Sequence, residues 1–334
     1  LPYRRFITPM ETPVQAQPLL SPTSAEPAPL THALTCWQGW QDLTDRLEPL
    51  LAAPFDQAQF GPSIETCART VLNLCQQDAD VAIAFMVHDT PDKLLRYGVL
   101  HAVHTAMLLA LVARRRDWSP TLSFSAVQAG LTMNLSITAL QSALALQTEP
   151  LSLIQRADIH AHPQASVQRL RELGVTDEDW LQAVLQHHEQ ADGKGYPAGM
   201  TQVSLLADAL RTCDVYSAKM APRVGRSVMQ SPQAATQIFR ERSANYFGAT
   251  LTREMGLYPP GTLVHLSSGQ EAVAVRRGTD LGLPVVVILQ DTGDGRWAPL
   301  ARVQTHDTNL AITMVHEANE WAHRLDMRQV LALC

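Results

Sequence analysis

Between residues 187 and 197 the chain reads His187-His188-Glu189-Gln190-Ala191-Asp192-Gly193-Lys194-Gly195-Tyr196-Pro197, two imidazoles and a carboxylate followed by a turn. Imidazole nitrogen is a common donor to zinc and iron, so the chemistry on offer is metal binding. Neighbouring side chains on a helix diverge by about 100°, and both histidines reach one ion only where the helix is ending. Gly193 and Gly195 give the backbone freedom to turn there, and Pro197 blocks a further helical turn. His-His-Glu alone reads equally as a solvated helix end. A helix stop needs one glycine, however, and has no use for an aromatic held between a glycine and a proline.

Other candidate donors lie on both sides of this segment. His101 and His104 stand one turn apart on a helix expected over Lys93–Arg115, and one of them should face inward. His160-Ala161-His162-Pro163 opens a helix that runs through Val167, Leu170 and Leu173 to a stop at Gly174. Asp214 lies among Leu210, Cys213 and Ser217 on the apolar side of a helix expected over Ser204–Met220, where a carboxylate needs a cation such as Arg211 or Lys219. His88-Asp89 sits in a Thr-Pro-Asp turn beside a helix-breaking proline and is set aside.

The full string, His-His-Glu-x-x-Asp-Gly-x-Gly-Tyr-Pro, resembles the signature of the HD-GYP family, metal-dependent cyclic-di-GMP phosphodiesterases of bacterial signalling. The resemblance covers about Tyr97 to Leu257 and implies His104, His162, His187, His188 and Asp214 as metal ligands, with His101 structural. It fails in the middle. Where the family has Leu-Leu-His-Asp-x-Gly-Lys, this chain has Thr132-Met133-Asn134-Leu135-Ser136-Ile137-Thr138, in a register set by Val127, Leu131, Leu135 and Leu140. Asn134 replaces a histidine ligand, Leu135 the aspartate that bridges two metals, and Thr138 a phosphate-binding lysine. His162, His187 and His188 then form a set suited to one zinc or ferrous ion with an open position, while His104 and Asp214 are left incomplete.

The implied protein is a degenerate HD-GYP-like module that binds cyclic-di-GMP, a related nucleotide or a diguanylate cyclase (GGDEF) domain without hydrolysis. Its surface would be the loop Asp192, Gly193, Lys194, Gly195, Tyr196 and Pro197. The alternative is a mononuclear metal-dependent phosphohydrolase acting on cyclic-di-GMP, so whether the chain is an enzyme stays open.

The elements that must position these groups are mainly helical. Residues 1–33 hold seven prolines, at 2, 9, 13, 18, 22, 27 and 29, and read as a flexible arm. Helical spacing begins with Trp37, Trp40, Leu43, Leu47 and Leu51, and a second helix is expected over Ile64–Met86, giving a helical N-terminal subdomain over 34–92. A helix over Ser125–Leu146 carries the altered stretch, and one over Thr176–His188 leads into the loop. The bundle expected over 93–257 is of the HD superfamily. Alternation at Thr262–Leu266 and Ala272–Val275 and the run Pro284–Leu289 read as strands, giving a small β-rich domain over 258–334 with a closing helix from Glu317.

At 334 residues with a net charge of -6, the chain has ample core and no electrostatic footprint for a nucleic-acid polymer. Five cysteines without C-x-x-C spacing suggest neither a disulfide framework nor a zinc ribbon, and fit a reducing cytoplasm. The apolar run Ala106–Ala113 is too short to span a membrane, and no stretch reads as a signal peptide.

Overall fold

The computed structural model describes residues 31–88, 93–224, 229, 233, 237, 246–278, 283–306, 308–316 and 322–334. The proline-rich arm lies almost wholly outside these, as do Asp89 and the expected start of the closing helix at Glu317. The described chain is mainly helical, with one C-terminal antiparallel sheet.

Helix α1 (His32–Ala52) buries the stripe read from the sequence, Trp37, Trp40, Leu43, Leu47 and Leu51. Trp37 meets Phe85 edge-on at 5.3 Å and Trp40 stacks on it at 6.1 Å. Phe85 belongs to α3 (Ala79–Val87), which is separate from α2 (Phe60–Gln77), so the single helix expected over Ile64–Met86 is two. Asp78 makes the break: its Oδ1 accepts from the backbone N–H of Asp80 and Val81 as an N-cap and is paired with Arg276 of the sheet.

Helix α4 (Tyr97–Arg115) is the axis of the bundle, with every residue from Tyr97 to Ala113 buried. It is long and apolar enough to cross a membrane, yet its apolar surface is covered by neighbouring helices. Gly130 of α5 (Pro120–Thr132) lies so close to α4 that a Cβ would come within 2.9 Å of Ala106 Cα. The helix expected over Ser125–Leu146 is interrupted: α5 stops at Thr132, residues 133–137 form successive turns, and α6 runs Thr138–Leu146. A Cβ on Gly98 would come within 2.3 Å of Thr138 O, so the start of α6 presses directly on α4. There follow α7 (Leu153–Glu172), α8 (Glu178–Gln186), α9 (Leu205–Met220) and α10 (Tyr246–Met255).

The sheet has strands β1 (Leu263–Leu266), β2 (Glu271–Arg276), β3 (Val285–Asp291), β4 (Trp297–Gln304) and β5 (Ile312–Val315) in the order β4-β3-β2-β1-β5. The first three match the strands read from the sequence. Leu263, Val273, Val287 and Leu289 join the helical core, while Val264, Leu266, Ala272, Val286 and Ile288 form a second core on the other face. Buried Glu254 of α10 also ties sheet to bundle, meeting Arg114 and Arg277 at 3.2 Å each. Helix α11 (Met327–Leu331) is short and packs back on α1.

Candidate metal centre

His162, His187 and His188 converge, with one ring nitrogen from each within 4.8 Å of the others. The reason is local at each position. Pro163 lies inside α7 and has no N–H for the carbonyl of Ile159 four residues earlier. That carbonyl accepts from His162 Nδ1 at 2.5 Å instead. His187 is the C-cap of α8, where the last carbonyls lack helical partners, and its Nδ1 donates to Val184 O at 2.6 Å. A carbonyl only accepts, so both rings carry their proton on Nδ1 and present the Nε2 lone pair.

Those two Nε2 atoms face each other at 3.1 Å. Burial pushes His162 down to about 3 and His188 down to about 2, and lowers His187 also, so the rings are neutral near pH 7. Two opposed lone pairs in a buried pocket repel unless a cation lies between them, and neutral imidazoles oriented by backbone carbonyls are what a zinc-type ion takes. The donor set therefore fits one divalent metal held by His162, His187 and His188.

His188 stacks on Tyr196 with ring centres 4.5 Å apart, and His160 covers the other face of Tyr196 at 4.9 Å. Tyr196 is thus a half-buried spacer between two imidazoles. Burial pushes its hydroxyl above the usual phenol range. The loop is shaped by Glu189, whose buried carboxylate accepts from Ala198 N at 2.7 Å and Met200 N at 2.9 Å. Gly195 is required because a Cβ there would lie 2.4 Å from Gln190 N. Gly193 has φ of 74° and takes the turn between Asp192 and Lys194, both exposed. Asp192 Oδ1 accepts from Lys194 N at 3.0 Å.

Asp214 is buried on α9, and its partner is neither Arg211 nor Lys219: His101 Nε2 lies 2.8 Å from its Oδ1. Burial is the largest influence on this carboxyl and opposes its ionisation, but the hydrogen bond and charge of His101, together with the nearby His188 and His187, outweigh it and hold Asp214 below the usual carboxylate range. His101 Nδ1 is 3.2 Å from Ser217 Oγ, and the ring stacks on Tyr97 at 5.7 Å. His104, the residue favoured from the sequence, instead meets Phe85 edge-on at 6.2 Å, and its Nε2 has no hydrogen-bond partner among the described residues. The structure thus places His101, not His104, beside Asp214. The pair is three apart on a helix buried all round, so the two rings point to different neighbours.

The altered positions are filled by packing. Leu135 is buried in the main core, and its carbonyl accepts from Arg169 Nη1 at 3.3 Å. Asn134 is buried, and Thr138 Oγ1 donates to Asn134 O at 3.0 Å. Ser136, unremarked in the sequence, ties this turn to α7: its N–H donates to Ser166 Oγ and its Oγ to His162 O.

The family model described as HD domain matches residues 82–251, just over half of the 334 residues. The chain belongs to the HD domain family. Among curated proteins it is similar to the cyclic di-GMP phosphodiesterase PA4108 of Pseudomonas aeruginosa, 26% identical over 265 residues, which cover 74% of this chain and 61% of that protein. The chain therefore spans less than two thirds of that relative. Among solved structures it is similar in fold to Bd1817, a HDG"Y"P protein from Bdellovibrio bacteriovorus, with a TM-score of 0.56, 15% identity, and coverage of 69% of this chain and 74% of that one. The HD-GYP resemblance read from the Gly195-Tyr196-Pro197 loop is in accord with all three, and the HD-superfamily helical bundle with its β-rich C-terminal part is the fold observed.

Proposed function

We propose that this chain is a degenerate HD-GYP-type module of cyclic-di-GMP signalling that binds the nucleotide at a single-metal centre and does not hydrolyse it. The observation that carries this reading is Leu135. Its buried aliphatic side chain stands where the family resemblance calls for a metal-bridging carboxylate, and leucine offers no donor. His162, His187 and His188 would hold one ion, whose chemistry is to attract a phosphate oxygen as a Lewis acid. Arg211 supplies a positive charge close enough to oppose protonation of His187 and His188, and Thr138 supplies none where a lysine is implied. Tyr196, held between His160 and His188, keeps the third imidazole in place. The exposed edge of the loop, Asp192 and Lys194, is the surface a diguanylate cyclase domain would meet.

The second reading, a mononuclear phosphohydrolase, is favoured by the convergent Nε2 lone pairs, which would leave an ion with an open position for water. Calorimetric titration of the zinc-loaded chain with cyclic-di-GMP tests the first. Binding that weakens in Arg211→Ala and disappears in His187→Ala is expected. Absence of binding to the loaded protein would remove the nucleotide from the account.

A further inference from the structure

Three donor side chains also meet on the sheet, away from the helical centre. His265 of β1 is directly opposite Glu271 of β2 in the antiparallel register, with His265 Nδ1 2.9 Å from Glu271 Oε1. His316 follows β5, and its N–H donates to Leu263 O at 3.1 Å, which puts it across from the residue two before His265 and on the same face. Its Nε2 lies 2.6 Å from Glu271 Oε2. One ligand atom from each side chain lies within 4.8 Å of the other two.

We propose that His265, Glu271 and His316 form a second metal site, for a divalent first-row transition cation of the zinc type. Two imidazole nitrogens and one carboxylate oxygen are a donor set such ions take, and side-chain exposures of 33%, 28% and 20% leave the remaining positions open to water. Partly exposed histidine–carboxylate pairs contribute little to stability by themselves, yet β1, β2 and the residue that follows β5 here bring two of them to one carboxylate. Each oxygen of Glu271 already holds one imidazole, so the donors are gathered before an ion arrives. The site joins β5, which among the described residues ends the sheet beside β1, to β2 on the far side of β1. A bound ion would clasp that edge strand.

The test uses the full chain carrying His187→Ala and His188→Ala, which silences the helical centre and makes the result independent of it. Cobalt(II) is followed by its visible d–d absorption and zinc by competition with a chromophoric chelator. One equivalent is expected to remain, and zinc is expected to raise the melting temperature of this variant. Adding Glu271→Gln, which keeps side-chain size, should weaken binding by more than the roughly 10- to 100-fold typical of an outer-shell change and cancel the thermal shift. His316→Ala should do the same. No bound equivalent in the silenced chain, or one that survives both Glu271→Gln and His316→Ala, would overturn the proposal.

Discussion

Pro163→Ala should make the metal-free protein more stable and at the same time a poorer metal binder. Proline in a helix interior is disfavoured by about 3 kcal/mol relative to alanine, because it lacks an N–H and crowds the carbonyl four residues before it. Part of that is offset by the stiffer unfolded chain that proline gives, about 0.4–1 kcal/mol, leaving a gain of roughly 2–2.6 kcal/mol for alanine. The restored N–H of residue 163 would claim Ile159 O, the acceptor that now fixes His162 Nδ1 at 2.5 Å. His162 would lose the contact that sets its tautomer and aims its Nε2, and outer-shell losses of this kind weaken metal binding by roughly 10- to 100-fold. Urea unfolding of chelator-treated protein reads the first effect, and zinc competition in a chain carrying His316→Ala reads the second at the helical centre. A variant that binds zinc as tightly as its parent would refute the idea that the proline exists to free that carbonyl.

Glu189→Gln should destabilise the loop, since one of the two backbone N–H groups it serves, at 2.7 and 2.9 Å, would then face an NH2 donor. The expected loss is roughly 1.5–3 kcal/mol, the range for a hydrogen bond to a charged group, and hydrogen exchange at Ala198 and Met200 should read it even if the rest of the fold stays closed. Gly195→Ala should be worse tolerated than Gly193→Ala, because its Cβ would meet backbone at 2.4 Å rather than a side-chain methyl at 3.4 Å; comparing melting temperatures checks the order. Metal-free protein should lose stability on acidification. His162 and His188 are lowered to about 3 and about 2, as is His88 to about 3 by its own burial, so the unfolded chain binds more protons than the folded one below about pH 6.5. Their contribution is therefore complete above about pH 6.5 and falls away as pH drops toward 3, and a flat urea midpoint across that window would contradict it.

The sequence was legible where a residue's role follows from its immediate neighbours. His162-Pro163 and the His187-His188-Glu189 helix end place their donors through bonds to carbonyls three residues back, and the glycines and proline of the loop announce its turn. The choice between His101 and His104 was not legible, because α4 is buried on every side and its apolar pattern names no inner face. Nor was the break over 133–137, where no glycine or proline stands and the turn depends on Ser136 reaching α7. Asp78 falls within the helical run expected over Ile64–Met86; its Oδ1 caps α3 through the N–H groups of Asp80 and Val81, and its tie to Arg276, 198 residues away, leaves no local trace in the sequence. Strand β4 escaped because it is half exposed along its length and contains Pro299, which an outermost strand tolerates.

The claim that Leu135 leaves this centre unable to cut a phosphodiester is tested most directly by product analysis. Zinc- or iron-loaded full chain, in excess over cyclic-di-GMP, is incubated and the nucleotide separated by chromatography. The account predicts that cyclic-di-GMP is recovered intact. Formation of linear dinucleotide or GMP that requires the metal and is abolished by His187→Ala would contradict it.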